Sequence, residues 1–174
     1  MNIKEGTFEA KDCRFGIVVS RFNELVTSKL LASSIETLQE AGAHEKDIEV
    51  VKVPGAFEIP FMARQLAQSR RFDAIICIGA IIRGDTPHFD YICTETSRGI
   101  AQAGWDFGIP VIFGVLTTNT VEQAVERTEV PDMNRGISAA RSAIEMVSLM
   151  KQCHLSHRQA PGFRGMLDKP EQSS

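Results

Sequence analysis

The chain has 174 residues, 43% hydrophobic and 24% charged, enough for one domain with a buried core. A net charge of −3, a pI near 5.8 and the lack of any Lys/Arg block leave no electrostatic footprint for nucleic acid or an anionic membrane. The longest apolar run, Ala74 to Ile82, falls far short of the ~20 residues a spanning helix needs, and "MNIKEGTFEAKD" lacks the basic and apolar parts of a signal peptide. A cytoplasmic protein with neither membrane nor nucleic-acid partners is predicted.

The first strand is predicted over "RFGIVV" (14 to 19), after a short N-terminal segment. Leu31, Ile35 and Leu38 then keep i, i+4, i+7 spacing, and Gly42 is a natural stop for that helix. "IEVVKV" (48 to 53) is the second strand, and a helix over Ile59 to Arg70 follows. "DAIICIGAII" (73 to 82) is the third strand, with a helix over Phe89 to Phe107. "VIFGVL" (111 to 116) is the fourth. After it, Thr120 and Gln123 form a capping box for a short helix that carries Arg127. A last helix over Ile137 to Cys153 puts Ile137, Ala140, Ile144 and Val147 on one stripe.

The stretch 158 to 174 is rich in Pro, Gly and polar residues without periodicity, and is predicted to be a disordered tail behind a single domain of residues 1 to 157. Cys13, Cys77, Cys93 and Cys153 include no Cys-x-x-Cys pair and are read as free, buried thiols. "CHLSH" (153 to 157) reads as a polar helix end, so no metal is predicted.

The strands are β-branched and nearly continuous in apolar character, which suits strands covered on both faces. Their alternation with helices predicts an α/β fold of three layers, a four-stranded parallel sheet between helices. Right-handed crossovers put every β-to-α loop at one edge of the sheet, where open α/β sheets bind ligands. The loops gathered there are "SRFN", "PGAFE", "RGDTPH" and "TTNT".

In "RGDTPH", Thr86 is placed to cap the next helix, with Pro87 at its first position and Gly84 allowing close backbone approach. Those residues alone describe a well-capped helix; the free amides and the Thr86 hydroxyl also describe an anion cradle. Asp85 fits such a cradle only through its amide. His88 is the one histidine in a strand-end loop, and histidine is the side chain whose ordinary titration lies near neutral pH. It is a candidate acid/base, or a surface residue.

Gly55 and Ala56 leave room for a ligand, and Glu58 can cap its own helix or accept bonds from a polyhydroxylated molecule. Asn23 is a good N-cap, while Phe22, stranded among polar residues, offers a face for a flat heterocycle. Arg127 alone reads as a solvated charge. The loops contain no Lys and no Gly-x-Ser-x-Gly elbow, which argues against an enzyme-bound Schiff base and against acyl transfer.

"VVSRFN", "VPGAFEIP", "GAIIRGDTPHFDYIC" and "FGVLTTNTVEQAVER", in this order, closely resemble the 6,7-dimethyl-8-ribityllumazine synthase family, from about Gly6 to Cys153. The resemblance implies a flavodoxin-like fold and the penultimate step of riboflavin synthesis, without a cofactor. Its substrates would be 5-amino-6-(D-ribitylamino)uracil and 3,4-dihydroxy-2-butanone 4-phosphate. By motif, Phe22 would stack on the pyrimidine, Ala56, Phe57 and Glu58 would line the ribityl and ring site, and Ala80, Ile81 and Ile82 would touch the ring. The amides of Asp85 and Thr86, with Arg127, would hold the phosphate, His88 would move protons, and Phe113 would close the site from a neighbouring subunit.

A homopentamer with active sites at subunit interfaces is implied. Many relatives carry a Gly-Thr-Lys-x-Gly-Asn-Lys-Gly type run where this chain has "TEVPDMNRG". That turn influences assembly into icosahedral shells, so the shell stays open, and Arg135 stands where a Lys is common. Two other readings compete: an archaeal-type riboflavin synthase, and a non-catalytic flavin- or lumazine-binding shell protein. The intact "RGDTPHFDY" speaks against the former, and the retention of both His88 and Arg127 against the latter.

Overall fold

Residues 1 to 155 are described by a computed structural model; the predicted tail and the end of "CHLSH" lie outside the described residues. Four strands form one parallel sheet: β1 (Phe15–Ser20), β2 (Ile48–Val53), β3 (Ala74–Ile82) and β4 (Val111–Thr118), in the order β2-β1-β3-β4. Residue Ile17 is level with Val50 on one side and Ile76 on the other, and Cys77 is level with Phe113. The five α-helices of the described residues are α1 (Glu24–Glu40), α2 (Ile59–Gln68), α3 (His88–Phe107), α4 (Val121–Glu129) and α5 (Arg135–Gln152).

The near-continuous apolar runs are explained by burial on both faces. On β1, Phe15, Ile17 and Val19 turn to one core with Leu30, Leu38, Ala140 and Ile144 of α1 and α5. Val18 turns to the other, with Ile59, Ala63, Leu66, Ile100 and Ala103 of α2 and α3. On β3, Ile76 and Ile78 alternate with Ile75 and Cys77 in the same way. All eight residues from Ala74 to Ile81 are buried, and so is every residue of β1. Fully burying one Ile or Val side chain stabilises the fold by roughly 1.5–3 kcal/mol.

Strand and helix ends move by one or two residues from the predicted ones. Gly42 lies beyond the end of α1 with φ +98, a conformation that a side chain would strain. Helix α5 starts earlier than predicted because Asn134 caps it, its Oδ1 accepting from Gly136 N at 2.9 Å and Ile137 N at 3.1 Å. Gly136 is a point of close approach between α5 and α1: a Cβ there would run into the Leu30 carbonyl. Of the cysteines, Cys13 and Cys77 are buried, Cys93 is half-buried and Cys153 is exposed, which corrects the expectation that all are buried.

Candidate active site

In the sheet order β2-β1-β3-β4 the chain winds one way from β1 to β2 and the other way from β3 to β4. Loops leaving the carboxyl ends of β1 and β3 therefore part to opposite faces and open a crevice. A cavity of about 770 Å³ lies there, within the range typical of small-molecule sites. Its walls are Phe22 and Asn23 after β1, Gly55 to Glu58 after β2, Ala80 to Ile82 at the end of β3, and Gly84, Thr86, His88, Phe89, Tyr91 and Ile92 at the start of α3.

The β1 and β2 loops are fixed to each other. Arg21 N donates to Val53 O at 2.8 Å and Phe22 N to Pro54 O at 3.1 Å. Those bonds hold the Phe22 ring out from the sheet edge, 70% exposed, where it can offer a face to a flat ligand. Asn23 stands at the start of α1 as expected, but its side chain does not cap the helix. Its backbone is left-handed, φ 59, and Nδ2 donates to Ala80 O at 2.8 Å, tying the first loop to the end of β3. Glu58 Oε2 accepts from Gly55 N at 2.9 Å, so one carboxylate oxygen caps its own turn. Thr96 Oγ1, fully buried on α3, donates to Ala56 O at 3.2 Å and pins that turn from behind.

The "RGDTPH" run departs from the sequence reading in one respect. Helix α3 begins at His88, Pro87 precedes it in helical conformation, and Thr86 makes no capping bond. Asp90 N donates to Pro87 O at 3.0 Å, a tight first turn that takes over the cap's place. The amides of Gly84, Asp85 and Thr86 donate to no group among the described residues. Gly84 has open space where a Cβ would stand. Thr86 and His88 face the cavity; Asp85 is not among its walls.

Three of the residues expected at the site, Asp85, Phe113 and Arg127, do not line the cavity of their own chain. Phe113 lies midway along β4, half-buried against the α2 and α3 side of the sheet, and its carbonyl accepts from Arg135 Nη2 at 2.7 Å. Arg127 is on α4, where Nη1 donates to Gln123 O at 2.9 Å and lies 3.8 Å from Glu126. Neither lines the cavity of its own chain. The "TTNT" loop stays out of it too. There the capping box is offset: Thr120 Oγ1 accepts from Gln123 N at 3.2 Å, but Gln123 Oε1 takes Asn119 N, at 2.9 Å.

Tyr91, which the sequence reading passed over, is a cavity wall and 69% exposed. Its signal was its place three residues after His88, on the same face of one helix. Cys93, two residues further, has its thiol pushed up by burial and by the Asp90 carboxylate, against a smaller opposing effect of Arg83. The wall residues include no lysine, cysteine or serine. The cavity therefore offers aromatic faces, small residues, one imidazole, one carboxylate and a helix start, but no lysine for a Schiff base and no serine or cysteine for acyl transfer.

The profile of the 6,7-dimethyl-8-ribityllumazine synthase family matches residues 12–151. The chain belongs to that family. The match spans every strand and α1 through α4, and all but the last residue of α5. It indicates a lumazine-synthase-type transferase function in riboflavin biosynthesis. The flavodoxin-like, four-stranded parallel architecture is the lumazine synthase one. No helix among the described residues is long and apolar enough to cross a membrane.

Proposed function

We propose that the protein condenses 5-amino-6-(D-ribitylamino)uracil with 3,4-dihydroxy-2-butanone 4-phosphate to give 6,7-dimethyl-8-ribityllumazine, with release of one inorganic phosphate and two waters. The observation that carries this reading is the family match across the whole sheet, with its motif residues Phe22, Ala56 to Glu58, Ala80 to Ile82, Thr86 and His88 on one cavity. Phe22 stacks on the pyrimidine ring. The turn from Ala56 to Glu58 receives the ribityl chain, Glu58 through the oxygen that Gly55 leaves free.

The substrate amine attacks the ketone, and the Schiff base forms between the two substrates, which is consistent with walls that hold no lysine. Phosphate leaves, the ring closes and water is lost. His88 takes and returns protons at the edge of the reacting atoms. The amides of Asp85 and Thr86 hold the phosphate, as the open amides of that turn allow. Orientation supplies much of the rate, since effective molarities of well-placed partners reach roughly 10⁵–10⁸ M.

The protein works as a cytoplasmic homopentamer, in which a neighbouring subunit brings Phe113 and Arg127 to each cavity. Two observations support this. Those two residues lie away from their own chain's cavity, and Phe61 of α2 and Trp105 of α3 are 66% and 76% exposed, apolar surface suited to burial against another chain. A single lumazine-synthase-like domain of residues 1 to 157 carries this activity. Mixing the two substrates with the purified protein tests the function: lumazine appears with its own absorbance, matched mole for mole by phosphate. A well-folded pentamer that forms no lumazine would overturn it, and a monomer by light scattering would overturn the shared site.

A further inference from the structure

We infer that Arg83 is the positioning residue of the Gly84–His88 turn, and that it keeps the Asp90 carboxylate engaged so that an anion can approach the start of α3. The inference rests on the reading of that turn as the phosphate site. Arg83 follows the last residue of β3, and its amide donates to Thr118 O at 2.9 Å, which carries the β3–β4 ladder one step past the sheet. Its guanidinium then reaches three ways. Nε donates to Asn119 Oδ1 at 3.2 Å, Nη2 and Nη1 reach the two oxygens of Asp90 at 3.0 and 3.5 Å, and Cζ lies 4.1 Å from the centre of the Phe89 ring.

One side chain thus joins the end of β3, the first turn of α3 and the loop after β4. Only a planar fork can make these contacts at once; an ammonium is a single point charge. Stability alone does not explain the arrangement, because Arg83 and Asp90 are 44% and 60% exposed and a solvated pair adds little. Local electrostatics does. A carboxylate in a first helical turn suits the helix, yet it repels an anion arriving at the same amides. Arg83 neutralises it where the turn has to accept charge. Arg83 is not among the cavity walls, and each of its three guanidinium nitrogens is held by Asn119 or Asp90, so it acts through the turn.

The test uses the full-length protein and Arg83→Ala, Arg83→Lys, Asp90→Asn and the double variant Arg83→Ala/Asp90→Asn. Turnover is measured against the butanone phosphate, and inorganic phosphate binding by calorimetry. Arg83→Ala should raise the KM for the phosphate substrate about tenfold and weaken phosphate binding alike, with kcat changed less than about threefold. Asp90→Asn should stay near wild type, and the double variant should recover most of the lost affinity. Arg83→Lys should fall between, because charge survives while the fork is lost.

An Arg83→Ala protein with unchanged KM and phosphate affinity overturns the inference. So does a double variant as impaired as the single one, since repulsion by Asp90 would then not be the cause. If Arg83→Ala does not fold, the comparison of Arg83→Lys with and without Asp90→Asn decides in the same way. Wild-type protein that binds phosphate but forms no lumazine would sink the proposed reaction and leave this inference to be judged on binding. Wild-type protein that does not bind phosphate overturns the inference.

Discussion

At the amino ends of the strands, Arg71 grips both oxygens of Glu49 at 2.6 and 3.0 Å, and Arg14 lies 3.6 Å from Asp47. At the carboxyl ends, Phe22, Phe57 and Tyr91 are 70%, 56% and 69% exposed around a cavity, and the amides of residues 84 to 86 are left open. The amino end satisfies its own charges. The carboxyl end leaves apolar rings in water, a cost that burial by a ligand or a neighbouring chain removes. The same strands thus have a closed edge and an unfinished one, and the proposed chemistry belongs to the second. Variants on the two edges should therefore behave differently.

The largest effect should come from His88→Ala. Lumazine formation should slow by about one to three decades, because orientation survives the loss of a single acid/base group. Total loss of turnover in a folded protein would make His88 more than an aid to proton transfer.

Arg127→Ala should raise the KM for the butanone phosphate about tenfold or more, as a charge-assisted bond is lost. Co-expression with His88→Ala chains sharpens this. In the proposed ring each interface would take His88 from one chain and Arg127 from the next, so random mixing would leave about one interface in four intact. Activity should climb towards about a quarter of normal. Mixed rings that stay at the average of the two parents would place the whole site within one chain.

Thiol labelling compares the layers within one molecule. Cys153 is exposed and should react first with iodoacetamide at neutral pH. Cys93 should lag, since burial and Asp90 push its thiol up and reduce the reactive thiolate. Cys77, fully buried and pushed up strongly by desolvation, should react only on unfolding. Equal rates measured by peptide mass mapping would show that α3 and the sheet open together.

The smallest effect is expected at the closed edge. Arg71→Ala should leave turnover unchanged and shift the melting temperature by no more than about 2 °C, as for other solvated pairs. The hydrogen bonds from Arg71 hold the Glu49 carboxyl below its usual range. A lowered carboxylate adds stability above its unfolded value, and that addition is lost as the pH falls through the lowered one. Any wild-type advantage over the variant should therefore vanish in acid; an advantage that grows in acid would point to another partner for Arg71.

Much of the site was legible before the fold was known. Glu58 caps its own turn as its position suggested, and His88 and Phe22 face the cavity because strand-end loops share one edge. Caps were less legible. Asn23 and Thr86 have the right side chains in the right places, yet Asn23 bonds Ala80 O and Thr86 bonds nothing at the helix start. A capping propensity is local, and a carbonyl brought near by another strand can outbid it.

By itself, the sequence determined the strands, the parallel alternation and the edge at which loops gather. Those follow from short, nearly continuous β-branched runs, from the 3.6-residue period of the helices and from the handedness of crossovers, which are properties of the chain and its neighbours along it. Only the tertiary structure decided which loops meet. Phe113 and Arg127 joined the expected site through the family resemblance alone, and within the chain β4 is an edge strand while α4 leads away from the crevice between β1 and β3. Strand order is set by which faces bury together across distant segments, as when Phe15 meets Ile48 on one side and Ala74 on the other. No local period encodes that, because the burial that selects it exists only once the layers have packed.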